Sequence, residues 1–372
     1  MGFLNNLFGK KNENSPIETA EQMSFQDFWN WFSTKENEFF QVVKSRNNIE
    51  TDFFDELSPK VKSIDEGIYF LTGMKDDDTT ELIFTPDGVI KKIAVIEDLV
   101  AAAPSFPNWV FTALKPSTED ISNIGLRMGD YSFDKDNLWF YANSDENYPD
   151  EVDIVLVYEN YKAADKDMIT NAAYLFLDNY LGELNSVTTI DHLQIIGKNE
   201  ATEELIPIGK LKDYLLWREK EFVEKYQAVS YSTENDGFSS LEATLNNGLP
   251  LIAIVDKTLL EWDNKASHPW MVTVKIKYDG KNNNGFPNDT MYKLLDQFED
   301  ELSVDLKDVD GYLNIGRETA DNERVIFIAC KDFRKPSRVL DKMMNKYKGK
   351  IDFTYSIFKD KYWKAVEMYN VN

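Results

Sequence analysis

Six runs follow one another over residues 270–358: WMVTVKIKYD at 270–279, PNDTMYKLLDQFEDEL at 287–302, YLNI at 312–315, VIFIAC at 325–330, PSRVLDKMMNKY at 336–347 and IDFTYSI at 351–357. Val272, Val274, Ile276 and Tyr278 alternate with Thr273, Lys275 and Lys277, the period of a strand with one buried face. In the second run Met291, Leu294, Leu295, Phe298 and Leu302 recur at helical spacing; Asp289 is its expected N-cap, and Asp296, Glu299 and Asp300 fall on its wet side. Tyr312 to Ile315 and Val325 to Cys330 read as strands, Pro336 opens a second helix, and Ile351, Phe353, Tyr355 and Ile357 alternate as a last strand. The order strand, helix, strand, strand, helix, strand predicts a ferredoxin-like split βαβ unit, an antiparallel sheet with helices on one face. That architecture serves enzymes and binding modules alike, so it fixes no chemistry.

Working outward, Ser24 to Asp27 is a near capping box opening a helix with Phe25, Phe28, Trp29, Phe32, Phe39, Phe40 and Val43 on its apolar positions. Strands are expected at 68–74, 82–85, 109–114, 138–142, 152–158 and 190–196, and helices at 50–61, 90–103 and 168–184. Setting insertions aside, this order suggests a second, embellished ferredoxin-like unit. Residues 210–226 read as a charged helix, and strand-like runs at 226–232 and 251–255 lead into the last unit. The expected organisation is α+β in two domains: a flexible tail at 1–20, an acidic domain at 21–205, a linker helix at 206–225 and the C-terminal unit at 226–372.

The chain has 372 residues, long enough for two cores, and a formal net charge of −24. Residues 51–200 hold 29 acids against 11 bases, whereas residues 301–372 hold 12 against 14. The acidic half would repel nucleic acid and anionic lipid and would steer basic partners. Cys330, the single cysteine, lies in an apolar run as a small buried hydrophobe, and no intrachain disulfide is possible, which fits a cytoplasmic protein. No run is long enough for a membrane helix. The tip from Gly2 to Lys11 is weakly amphipathic with a basic end, and a frayed tail is its ordinary reading.

The stretch from about residue 226 to 369 resembles the bacterial domain of unknown function 695. The resemblance is carried by GLPLIAIVD at 248–256, Pro269-Trp270, Gly285-Phe286-Pro287, IGRET at 315–319 and KDKYW at 359–363. The family's Tyr-rich third strand is here VIFIAC, which keeps the packing and loses the hydroxyls. The resemblance implies a bacterial, cytoplasmic protein without an assigned activity. It also implies a fold similar to that of the acidic bacterial inhibitor of ribonuclease E.

Catalytic and metal chemistry find little to stand on. Two histidines, His192 and His268, are isolated, and no HxxxH, CxxC, GxSxG or phosphate-binding glycine motif occurs. Asp308 to Gly311 mimics part of a calcium loop but places Leu306 and Arg317 at its first and twelfth positions, where carboxylates are required. No catalytic residue, metal or cofactor is therefore expected. Two features remain as binding candidates. Arg338, Lys342 and Lys346 form one basic stripe at four-residue spacing. Asp360 and Trp363 close the last strand beside Lys361 and Tyr362, with Trp363 expected to be partly exposed. The reading is a non-catalytic, inhibitor- or immunity-like regulatory module that engages a basic protein. The alternative is an enzyme or small-molecule sensor with a carboxylate and aromatic cleft between its two domains.

Overall fold

The computed structural model describes residues 22–370, so the expected tail and amphipathic tip lie outside the described residues. The chain is a mixed α+β protein in two compact units. One takes the described residues up to Asn143 together with Val152–Leu216; the other takes Ser144–Glu151 and the chain from Trp217 onward.

The first unit begins with helix α1 (Phe25–Ser45), capped by Ser24, whose hydroxyl accepts the Asp27 N–H at 3.1 Å. Its stripe of Phe28, Trp29, Phe32, Phe39, Phe40 and Val43 is buried, and the Trp29 indole donates to the Leu99 carbonyl at 2.8 Å. A π-helical turn (Glu50–Phe54) runs into α2 (Asp55–Ile64). The hairpin β1 (Tyr69–Met74) and β2 (Thr80–Thr85) is followed by α3 (Ile90–Ala101) and by β3 (Trp109–Ala113), which pairs parallel to β2. After the ribbon β4 (Leu126–Met128) and β5 (Tyr131–Phe133), the pattern repeats. The hairpin β6 (Leu138–Asn143) and β7 (Asp153–Tyr158) leads through α4 (Lys166–Leu181) and α5 (Glu183–Thr189) to β8 (His192–Gly197), parallel to β7. The short β9 (Ile206–Pro207) adds to β6.

This corrects the expectation of one embellished ferredoxin-like unit here. The strands of residues 65–200 form separate sheets, ordered β1-β2-β3 and β8-β7-β6-β9, each built as hairpin, helix and parallel return. Alternation and length located the elements, but neither specifies partners. A helix returning the chain beside the strand it has just left closes a small sheet locally and leaves no slot for a distant strand.

Helix α6 (Leu211–Tyr226) contains the division between the units. The strand expected at 226–232 is absent, and β10 lies instead at Phe238–Thr244. Next come β11 (Pro250–Asp256), α7 (Lys257–Leu260), β12 (Trp270–Lys277), α8 (Asp289–Asp305), β13 (Tyr312–Ala320), β14 (Glu323–Cys330), α9 (Arg334–Tyr347) and β15 (Asp352–Lys359). The six strands form one antiparallel sheet in the order β10-β11-β13-β14-β12-β15. Asn288, rather than Asp289, caps α8, its side chain accepting from the Met291 N–H at 2.9 Å. Helix α9 starts two residues before Pro336, because the Asp332 carboxylate accepts the N–H groups of Arg334 and Lys335 at 2.9 and 3.0 Å.

Both faces of this sheet are covered, where helices on one face were expected. Against one face, Phe298 of α8 meets Phe353 and Tyr347 with ring centroids 5.0 and 5.1 Å apart. On the other, Met271, Leu313, Ile315, Phe327 and Ala329 form a core with Leu259 and Leu260 of α7 and with Trp363, Val366 and Tyr369. The bulge in β13 between Asn314 and Gly316 depends on its glycine, since a Cβ at Gly316 would stand 2.3 Å from the Ile254 carbonyl oxygen.

Candidate functional site

The segment after β15 is a built structure. The Asp360 carboxylate accepts the N–H groups of Lys364 and Ala365 at 2.8 and 2.9 Å and so caps the 3₁₀ turns of Lys364–Tyr369. Trp363 is 1% exposed, and its indole donates to the His268 carbonyl at 3.0 Å. Its φ of 56° places a bulky residue in the left-handed region, a cost that the surrounding contacts must offset. The expected partial exposure of Trp363 is thus corrected: the 3₁₀ turns fold back onto the sheet and take the ring into the core with Val366 and Tyr369.

Between these two residues, Lys361 and Tyr362 serve a different element of the same unit, the segment Ser144–Glu151. The Asp150 carboxylate accepts from the Lys225 ammonium at 2.8 and 3.0 Å and from the hydroxyls of Tyr226 and Tyr362, each at 2.8 Å. Lys361 donates to the Asp150 carbonyl, Arg218 donates to the Pro149 carbonyl at 2.7 Å, and Lys364 pairs with Glu151 at 2.8 Å. Tyr148 packs edge-on to Tyr362 at 5.0 Å, under the Lys364 ammonium at 3.6 Å. Burial alone would raise the Asp150 pKa, but the bonds from Lys225, Tyr226 and Tyr362 outweigh it and hold the carboxyl below its usual range. No sequence motif marks Asp150, because its partners come from α6 and from beyond β15.

Arg338, Lys342 and Lys346 all stand exposed on α9, while Val339, Leu340, Met343 and Tyr347 are buried. Lys346 is engaged by Glu301 at 2.7 Å. The stripe and the closing segment thus lie on different elements.

Two inward-turned carboxylates, one in each unit, escaped the sequence reading. Glu183 is 0% exposed, accepting from the Thr85 hydroxyl at 2.6 Å, the Gly88 N–H at 2.9 Å and the Lys115 N–H at 3.2 Å. Beside it the Lys115 ammonium lies 3.3 Å from Asp178 and 3.8 Å from Asp87. Burial pushes the Asp178 pKa up, with Lys115 opposing and Glu183 reinforcing the shift. In the second unit Glu299, expected on the wet side of its helix, instead turns in to pair with Arg317 and, at 2.7 Å, with Arg324. Arg324 is itself 2% exposed and donates to the Thr319 hydroxyl at 3.1 Å.

His268 is buried, and its pKa falls to about 3, first through burial and then through the charge of Lys331. Cys330 is buried and its thiol pKa is raised by burial, so it is no ready thiolate. Asp236 is pushed up to about 6, by burial first and then by Asp256. Among the described residues, no group of three or more His, Cys, Asp or Glu is placed to hold a metal ion, and no helix is long and apolar enough to cross a membrane.

Residues 240–369 match the model of a family of unknown function (DUF695). The match opens within β10 and closes on the turns that bury Trp363. No curated protein and no solved structure matches the chain.

Proposed function

We propose that the protein is a non-catalytic binding or regulatory module of the cell interior, whose acidic first unit engages a basic protein surface as an inhibitor or immunity protein would. Within it, β12, α8, β13, β14, α9 and β15 are read as a ferredoxin-like core. The strand order β13-β14-β12-β15 supports that reading, with β10 and β11 extending one edge.

The observation that carries the functional reading is a charge imbalance left open at the surface. Residues 51–200 hold 29 acids against 11 bases. In the first unit Glu119, Asp130, Glu203 and Glu204 stand exposed without an ion pair among the described residues. Such a surface accelerates encounter with a cationic partner and makes the complex sensitive to salt. The test is affinity capture from native cells at low and then moderate salt. One stoichiometric basic protein should be retained and then released. Replacing Glu119, Glu203 and Glu204 by Gln and Asp130 by Asn should weaken its capture. Retention that ignores both salt and these substitutions would overturn the proposal.

A further inference from the structure

The second unit also carries a cationic cleft, and we propose that it binds a small phosphorylated ligand with an apolar body, a nucleotide-like molecule. Helix α9 ends at Tyr347, and Lys348-Gly349-Lys350 turns the chain into β15; Gly349, at φ 75°, permits the reversal. Between this turn and the end of β12 lies a cleft of about 570 Å³, within the range of small-molecule sites. Lys277, Lys348 and Lys350 converge on it, all exposed, and none of their ammonium groups makes a hydrogen bond or ion pair among the described residues. Three like charges that outnumber the single carboxylate among them, Asp352, repel one another, and an anion bound among them lowers that cost. That such a group occurs on a chain of net charge −24 sets it apart from the general surface.

The lining is also partly apolar. Met344, 44% exposed, shares it with Ile351 and Phe353. An exposed thioether above buried aliphatic and aromatic groups suits a flat organic body better than a bare ion. Two features oppose an anion. Asp352 lines the same cleft, and the carbonyl end of α9 carries a partial negative charge of about half a unit. Three ammoniums exceed their sum, and the Tyr347 carbonyl is already occupied by the N–H groups of Lys350 and Ile351 at 2.9 and 3.0 Å. Separate, flexible ammoniums on long stems match a polyphosphate, whose charges are spread along a chain.

The test titrates the full-length protein at low salt with adenosine triphosphate and, separately, with inorganic tripolyphosphate, by calorimetry and amide NMR. The nucleotide should bind about tenfold more tightly than tripolyphosphate, shifting the amides of residues 344–353. The Lys348→Glu, Lys350→Glu double variant should weaken the nucleotide by at least about tenfold with an unchanged melting curve, because both side chains are exposed. Met344→Ser should reduce nucleotide binding and leave tripolyphosphate binding as it was. No nucleotide binding, equal affinity for both probes, or undiminished binding by the double variant would each overturn the proposal. None of these outcomes bears on the acidic surface of the first unit, so the two readings fail separately.

Discussion

Glu183, fully buried in the first unit, and Glu299, half-buried in the second, are both carboxylates that tie elements together, and they are satisfied in opposite ways. Glu183 accepts from a hydroxyl and two backbone amides, with a single lysine nearby shared between Asp178 and Asp87. Glu299 is held between two guanidinium groups. Removing Glu299 leaves the buried Arg324 guanidinium only the more distant Asp296, at 3.7 Å, whereas removing Glu183 strands donors that carry no full charge. Burial costs more for an uncompensated charge than for an unmade neutral hydrogen bond, so the two positions should respond differently to the same substitution.

Glu299→Ala should therefore cost the most, about 3–5 kcal/mol by urea denaturation, because Arg324 keeps a charge that is 2% exposed and loses its closest carboxylate. Glu183→Ala should cost less, about 2–3 kcal/mol, the penalty of a few buried donors left unpaired. The isosteric variants sharpen the contrast. Glu183→Gln keeps an acceptor for Thr85 and Gly88 and relieves a like charge on Asp178, so most of the loss should be recovered. Glu299→Gln cannot neutralise either arginine and should stay close to the alanine variant. If both glutamine variants recover alike, the distinction between charged and neutral partners is wrong.

The two units also shift titratable groups in opposite directions. The pKa of His268 in the second unit lies at about 3, below its ordinary 6.5, so the unfolded chain takes up a proton that the folded chain refuses. Its contribution is present above pH 6.5 and is lost as pH falls below that value, by up to about 1.4 kcal/mol per pH unit. Asp178 in the first unit is raised from 3.8, so its effect runs the other way, with stability present below that pH and falling as pH rises through the window above it. His268→Asn should flatten the acid limb of stability between pH 6.5 and about 4.5, and Asp178→Asn should leave that slope in place. Melting temperatures across pH for the three proteins decide this. Equal acid slopes in wild type and His268→Asn would show that His268 titrates normally.

How much could be read in advance follows the same divide. The strands β12, β13, β14 and β15 were legible because each packs one face on α8 and α9, and Val272, Val274 and Ile276 announce that face by alternation. The second covered face was not, because it is closed by the 3₁₀ turns carrying Val366 and Tyr369, which have no periodic signature. In the first unit the longer elements were placed, while the short β4, β5 and β9 and the pairing of the strands were not. β7 is buried along almost its whole length, so no alternation specifies which strand lies beside it. The polar residues fared worst. Arg338, Lys342 and Lys346 were read as an exposed stripe and are one. Asp360 and Trp363 were read as a contact site, yet here they cap and fill. Glu299 sits between Phe298 and Asp300 with nothing local to show that two arginines await it. Helical spacing tells which way a side chain leaves its helix, but a charge is drawn inward only by partners that the fold delivers.

The smallest effect tests a cluster in which charged and neutral donors share a carboxylate. Asp150 accepts from the Lys225 ammonium and from the phenols of Tyr226 and Tyr362. Tyr362→Phe removes one donor to a charged acceptor and should cost about 1–2 kcal/mol near neutral pH. Because the Asp150 pKa is held below its ordinary 3.8, the stabilisation is present above that value and is lost as pH falls through the folded-state value. The gap between wild type and Tyr362→Phe should then narrow as pH falls through that folded-state value and the carboxyl takes up its proton. Asp150→Asn should cancel most of the Tyr362 effect at neutral pH in a double-mutant cycle. A gap that persists unchanged in acid would mean that the Tyr362 hydroxyl acts by accepting the Asp150 N–H at 3.0 Å, and that the carboxylate is held by Lys225 and Tyr226 alone.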